Sequence, residues 1–111
     1  METVVFLYAT APDEATARTI AAQLVESGAA ACVNIIPGMT SFYRWRGAVE
    51  TATEVVLIIK TTQATGARAV EVITACHPYE VPAIASLVID ESLSSQPFCD
   101  WVRKSCGVAG S

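Results

Sequence analysis

Ala31-Cys32-Val33-Asn34-Ile35-Ile36-Pro37-Gly38, then Ser41-Phe42-Tyr43-Arg44-Trp45, Arg46-Gly47-Ala48 and the unbroken run Val49 to Lys60 decide the fold of this chain. Ala31 to Ile36 is strand-like, Pro37-Gly38 interrupts it as a kink or bulge, and Ser41 to Trp45 resumes the extended pattern. Arg46-Gly47-Ala48 has the length and the glycine of a hairpin loop. The return run ends in Val55-Val56-Leu57-Ile58-Ile59, and its twelve residues reach roughly 40 Å at about 3.4 Å each. Pairing symmetric about Gly47 would set Asn34 opposite Lys60, and the Pro37-Gly38 kink could shift that by one residue.

The flanks complete the pattern. Val4-Val5-Phe6-Leu7-Tyr8 is a continuous β-rich run. Thr10-Ala11-Pro12-Asp13 reads as a helix start with Thr10 as the cap, and Ala17, Ile20, Ala21 and Leu24 give one buried face before the Gly28 stop. After the hairpin, a helix from Thr62 carries Ala69, Val72, Ile73 and Cys76 inward until Pro78 ends it. Ala83 to Asp90 is a further strand. Ser95 and Pro97 open a last helix with Phe98, Trp101 and Val102 inward, and Gly107 to Ser111 reads as a frayed tail.

The order β-α-β-β-α-β plus a terminal helix predicts an α+β, ferredoxin-like plait: an antiparallel four-stranded sheet with helices on one face. Helices of about 15 residues cover roughly 22 Å, so the central hairpin outruns them. Its distal half exposes Tyr43, Trp45 and Val49 on a long ribbon, an association hazard unless other copies cover it. An oligomer closed by pairing between sheets is the expected solution.

Composition agrees. The 111 residues are one domain's worth, 1–111; 52% are hydrophobic and 16% charged, against about 25% charged in a typical soluble domain. That excludes a disordered tail. Net charge is −4 and the seven basic residues are scattered, which argues against a nucleic-acid partner. No apolar run approaches the roughly 20 residues of a membrane span. Glu2 and Pro12-Asp13 do not suit a secretory leader, so a cytoplasmic location is expected. Cys32, Cys76, Cys99 and Cys106 form no C-x-x-C pair; Cys99 and Cys106, on one helix, would be separated by roughly 10 Å of rise, too far to bridge. Reduced thiols fit best.

One local cluster carries chemistry. His77-Pro78-Tyr79-Glu80-Val81-Pro82 holds an imidazole, a phenol and a carboxylate between two prolines, groups that ligate metal or move protons.

With Thr10 to Ala15, Ala31 to Gly38, Ser41 to Trp45, Leu57-Ile58-Ile59-Lys60-Thr61, His77 to Pro82 and the terminal Trp101, nearly the whole chain resembles the CutA family of divalent-cation tolerance proteins. The resemblance implies a small cytoplasmic homotrimer of ferredoxin-like subunits linked to copper and divalent-metal tolerance. It carries the family's proposed copper ligands over only in part. Ala9 stands where better-studied bacterial members have a Cys, and Cys76 where a His often stands. His77 is retained, leaving His77, Cys76 and Cys32 as candidate ligands for copper or another divalent metal.

Each candidate has a plainer reading beside it. His77 can be a helix-end imidazole satisfied by nearby carbonyls, and Cys76 and Cys32 can be small packed hydrophobes. Asn34, Tyr43, Trp45, Lys60, Tyr79, Glu80 and Trp101 are candidates for a cleft between subunits, while the aromatics among them serve equally as interface anchors. Lys60 either holds a carboxylate such as Glu80 or is a solvated strand end. Two alternative functions stand beside metal tolerance. One is a PII-like trimer that senses a small ligand in intersubunit clefts, although no Gly-rich phosphate cradle is present. The other is an enzyme moving protons through His77, Tyr79 and Glu80, although no nucleophile–base pair is recognisable.

Overall fold

The computed structural model describes residues 2–107. Its elements run β1 (Val4–Ala11), α1 (Glu14–Glu26), β2 (Cys32–Trp45), β3 (Ala48–Thr62), α2 (Gln63–Cys76), β4 (Ile84–Val88), a 3-10 turn at Glu91–Leu93 and α3 (Gln96–Ser105). The four strands form one antiparallel sheet in the order β2-β3-β1-β4. This is the ferredoxin-like plait the element order predicts. Of the tail expected to fray, residues 108–111 lie outside the described residues.

Local chemistry explains the ends. β1 runs to Ala11, so Thr10 is a strand residue and not the α1 cap expected from sequence. Asp13 is the cap: its Oδ1 accepts from the Thr16 N–H at 2.7 Å, because Pro12 supplies no backbone donor and ends the strand ladder. The bonded Thr16 amide holds the Asp13 carboxyl below its ordinary range. Gly28 takes φ 75° after the last turn of α1, as a left-handed stop requires. Thr62 caps α2 in a reciprocal box with Thr65. His77 leaves the helix in an extended conformation ahead of Pro78.

Register departs from symmetry at two places. Trp45 pairs with Ala48, so the loop is the two residues Arg46-Gly47, both at positive φ (49° and 80°), rather than three. Pro37 and Gly38 then form a bulge between the Ile36–Val56 and Met39–Glu54 pairs, with Gly38 at φ 81°. Each device moves the pairing by one residue. Cys32 therefore faces Lys60, and Asn34 faces Ile58.

Strand alternation divides the sheet into two faces. Leu7, Ala9, Ala11, Val55, Leu57 and Ile59 face α1 and α2 and pack with Ala17, Ile20, Leu24, Ala69 and Ile73. Val4 and Phe6 point to the opposite face, where α3 covers only one end through Cys99 and Val102. The inward residues of α3 are thus Cys99 and Val102; Phe98 and Trp101, expected inward, remain partly exposed and stack on each other with ring centroids 6.1 Å apart. A helix of ten residues presents one narrow stripe, and the chain enters it from the 3-10 turn at the angle that turns Cys99 inward.

Beyond Ala11 and Val55, where β1 stops pairing, β2 and β3 continue as a two-stranded ribbon. Phe42 is 74% exposed there, Trp45 58% and Val49 65%.

Candidate functional site

The His77–Pro82 loop closes the end of the β1–α2 layer. Pro78 forces the His77 backbone out of the helix and turns its ring back toward β1, where it is buried. Nδ1 accepts the Tyr79 backbone N–H at 3.1 Å, which places the ring proton on Nε2. Nε2 in turn donates to the Thr10 carbonyl at 2.8 Å. The Tyr79 ring leans over the imidazole at 4.9 Å between centroids. Both nitrogens of His77 are therefore occupied, and the imidazole fastens the loop to the strand.

The other metal candidates lie apart. Cys76 packs at the helix-covered core, its thiol donating to Gln23 Oε1 of α1 at 3.3 Å. Cys32 belongs to the opposite sheet face, paired across the strands with Lys60. Cys76 and Cys32 thus do not form a site: the sheet stands between the two thiols. Among the described residues no group of three or more His, Cys, Asp or Glu side chains converges as a metal would need. The donors of one chain do not fit a metal ion, so the expected set of His77, Cys76 and Cys32 is not assembled within a single copy.

The cleft candidates divide into separate groups. Asn34 and Lys60 do meet, through the bulge-shifted register: the Lys60 ammonium donates to Asn34 Oδ1, stands 3.7 Å from Cys32 Sγ and lies 5.7 Å above the centre of the Phe6 ring. Among the described residues no carboxylate pairs with Lys60. Glu80 is not its partner, because Lys60 sits beside Phe6 whereas the His77 loop is tied to Thr10, four residues or about 13 Å further along β1. Tyr43 and Trp45 share the Lys60 face but on the distal ribbon, and Trp101 is on the outer side of α3. Tyr79 and Glu80 are exposed on the loop.

Sequence reading missed one polar centre. Arg103 donates to Glu91 Oε1 at 2.7 Å, to Asp100 Oδ1 at 2.9 Å and to the Glu2 carbonyl at 2.9 Å, while Glu91 Oε2 accepts from the Val4 N–H at 3.1 Å. This clamp joins α3 to the start of β1. The Asp100–Arg103 spacing of three was its one visible signal. The Arg103 and Val4 hydrogen bonds hold the Glu91 carboxyl below its ordinary range.

Comparison with known proteins follows the same outline. The model of the CutA1 divalent ion tolerance protein family matches residues 5–105. The divalent-cation tolerance protein CutA of Thermus thermophilus is 47% identical over 107 residues, covering 96% of this chain and all of that protein. The human Protein CutA is 37% identical over 97 residues, which is 87% of this chain but 53% of the human one. The solved structure of the periplasmic divalent cation tolerance protein CutA from Archaeoglobus fulgidus superposes with a TM-score of 0.86 at 37% identity, covering 92% of this chain and 97% of that one. The family model spans nearly the whole chain, and the chain belongs to the CutA1 family of divalent ion tolerance proteins.

Proposed function

We propose that this chain serves divalent-cation tolerance as a homotrimer whose copies cover one another's distal ribbons. The observation that carries the reading is the ribbon itself: Phe42, Tyr43, Trp45 and Val49 are exposed on strands whose distal edges pair with nothing among the described residues. A flat, apolar, two-stranded edge in water aggregates unless another chain takes it up. Closing a ring of three would bring the separate groups together, setting Tyr79, Glu80 and Trp101 of one copy near Asn34, Lys60, Tyr43 and Trp45 of the next.

Copper or another divalent ion, if held, must draw donors from more than one copy, since His77 is closed and Cys32 and Cys76 are divided by the sheet. Four free thiols support a cytoplasmic location.

Sedimentation of the full chain should give a mass three times the 11.7 kDa of one copy. Trp45→Glu with Val49→Asp should yield monomers. Titration with Cu(II) should then show a saturable site in the assembly that the monomeric variant lacks. A monomeric wild type at micromolar concentration, or equal copper binding by both proteins, refutes the reading.

Lys60, which no carboxylate of its own copy pairs with among the described residues, favours a second possibility, a small anionic ligand held beside Asn34 in the same cleft. A thermal-shift screen of carboxylate and phosphate metabolites on the assembly tests it; a screen without any shift removes it.

A further inference from the structure

The Cys32–Lys60 pair joins a thiol and an amine in one contact. The two residues are direct cross-strand partners, and the amine and thiol stand 3.7 Å apart with the lysine stem laid along Phe6. Asn34 Oδ1 holds the nitrogen beside the sulfur, and among the described residues of one copy no carboxylate draws it away. The other thiols have different neighbours. Cys76 donates to an amide oxygen and Cys106 lies 3.9 Å from the Thr61 hydroxyl. Cys99 is fully buried, and burial together with the Glu91 charge pushes its thiol up, which keeps it protonated and inert. Among the described residues Cys32 alone of the thiols pairs with an amine, at the border of the sheet end that α3 covers, where both residues stay partly exposed.

The geometry points to a modification site: under hydrogen peroxide, Cys32 and Lys60 join through a single oxygen into an S–O–N bridge between β2 and β3. The balance is complete. The Cys32 thiolate attacks one peroxide, forming an S–O bond and releasing water once its proton is counted, which leaves the sulfenic acid. The Lys60 amine, having given its ammonium proton to water, attacks a second peroxide and becomes a hydroxylamine, again releasing water. The hydroxylamine oxygen then displaces hydroxide from the sulfenyl sulfur as a third water. Sulfur and nitrogen each lose two electrons, and two peroxides take up the four. One bridging oxygen between atoms already in contact asks only for a rotamer adjustment of the lysine stem. The bridge staples the edge strand β2 to β3 within one chain and needs no second copy, so it stands or falls separately from the trimer.

Intact-mass spectrometry of the full-length protein, reduced and then exposed to hydrogen peroxide, tests it. The expected product gains one oxygen and loses two hydrogens, a shift of about 14 Da, whereas a sulfenic or sulfinic acid adds about 16 or 32 Da. Proteolysis should release a linked pair of peptides containing Cys32 and Lys60, and dithiothreitol, attacking the sulfenyl sulfur, should separate them and return the Cys32 thiol. Lys60→Arg keeps the charge and Cys32→Ser the volume; each should abolish the shift, while the Cys76→Ser, Cys106→Ser double variant should retain it. Three results overturn the assignment: simple oxygen addition at Cys32 with no linked peptide, a shift of about 14 Da that survives Lys60→Arg, or no mass change at all.

Discussion

His77 carries two hydrogen bonds on one buried ring, to the Thr10 carbonyl and from the Tyr79 amide. Truncating it leaves both backbone groups without a partner. His77→Ala should therefore cost about 1–3 kcal/mol, read as a lower urea midpoint at fixed protein concentration. An unchanged midpoint would mean the ring is not a fastening. Glu91 is the residue to examine by pH. Its folded carboxyl ionises more readily than in the unfolded chain because Arg103 and the Val4 amide bind the charged form. The stability this adds is fully present above the ordinary glutamate range and disappears as pH falls through the lowered folded value. Thermal melts from pH 7 down to acid should show a shallower loss for Glu91→Gln than for wild type, from a lower starting point. Parallel curves would show that Glu91 does not contribute to the acid limb.

Among the elements, α2 contains a glycine in its interior, Gly66, against which β1 packs. A Cβ there would meet only Val5 Cγ2, at an ordinary 3.9 Å. Helical backbone needs no glycine, and alanine restricts the unfolded chain more. Gly66→Ala should therefore stabilise the fold by about 0.5–1 kcal/mol, measured by denaturant unfolding. A loss would show that the shallow groove bordered by Val5, Gly66, Val70 and Val88 must stay open for packing. The hairpin has the opposite constraint. Gly47 and the bulge residue Gly38 both hold positive φ, and the register that brings Cys32 to Lys60 depends on the two together.

At the scale of the molecule, the ribbon sets a long axis of 46 Å against 31 and 21 Å for the others. An assembled state that shields it couples folding to concentration. The melting temperature should rise measurably over a hundredfold increase in protein concentration, and the Trp45→Glu, Val49→Asp variant should melt lower without that dependence. A concentration-independent melt of wild type would place the ribbon in water as it stands.

Element order, the start of α2 at Thr62, the stop at Gly28 and the helix-ending Pro78 were legible because each rests on a few neighbouring residues. So was the long hairpin, since an apolar run without breakers leaves the backbone little choice. The α1 cap was misplaced by three residues because Thr10 and Asp13 both suit that role locally; the β1 ladder, a long-range pairing, claimed Thr10. The separation of Cys32 from Cys76, the pairing of Cys32 rather than Asn34 opposite Lys60 and the inward turn of Cys99 were decided by tertiary structure alone. The physical reason is parity. A strand side chain changes face with every residue, so one two-residue turn and one bulge reassign every contact beyond them, and pairing between distant segments settles both.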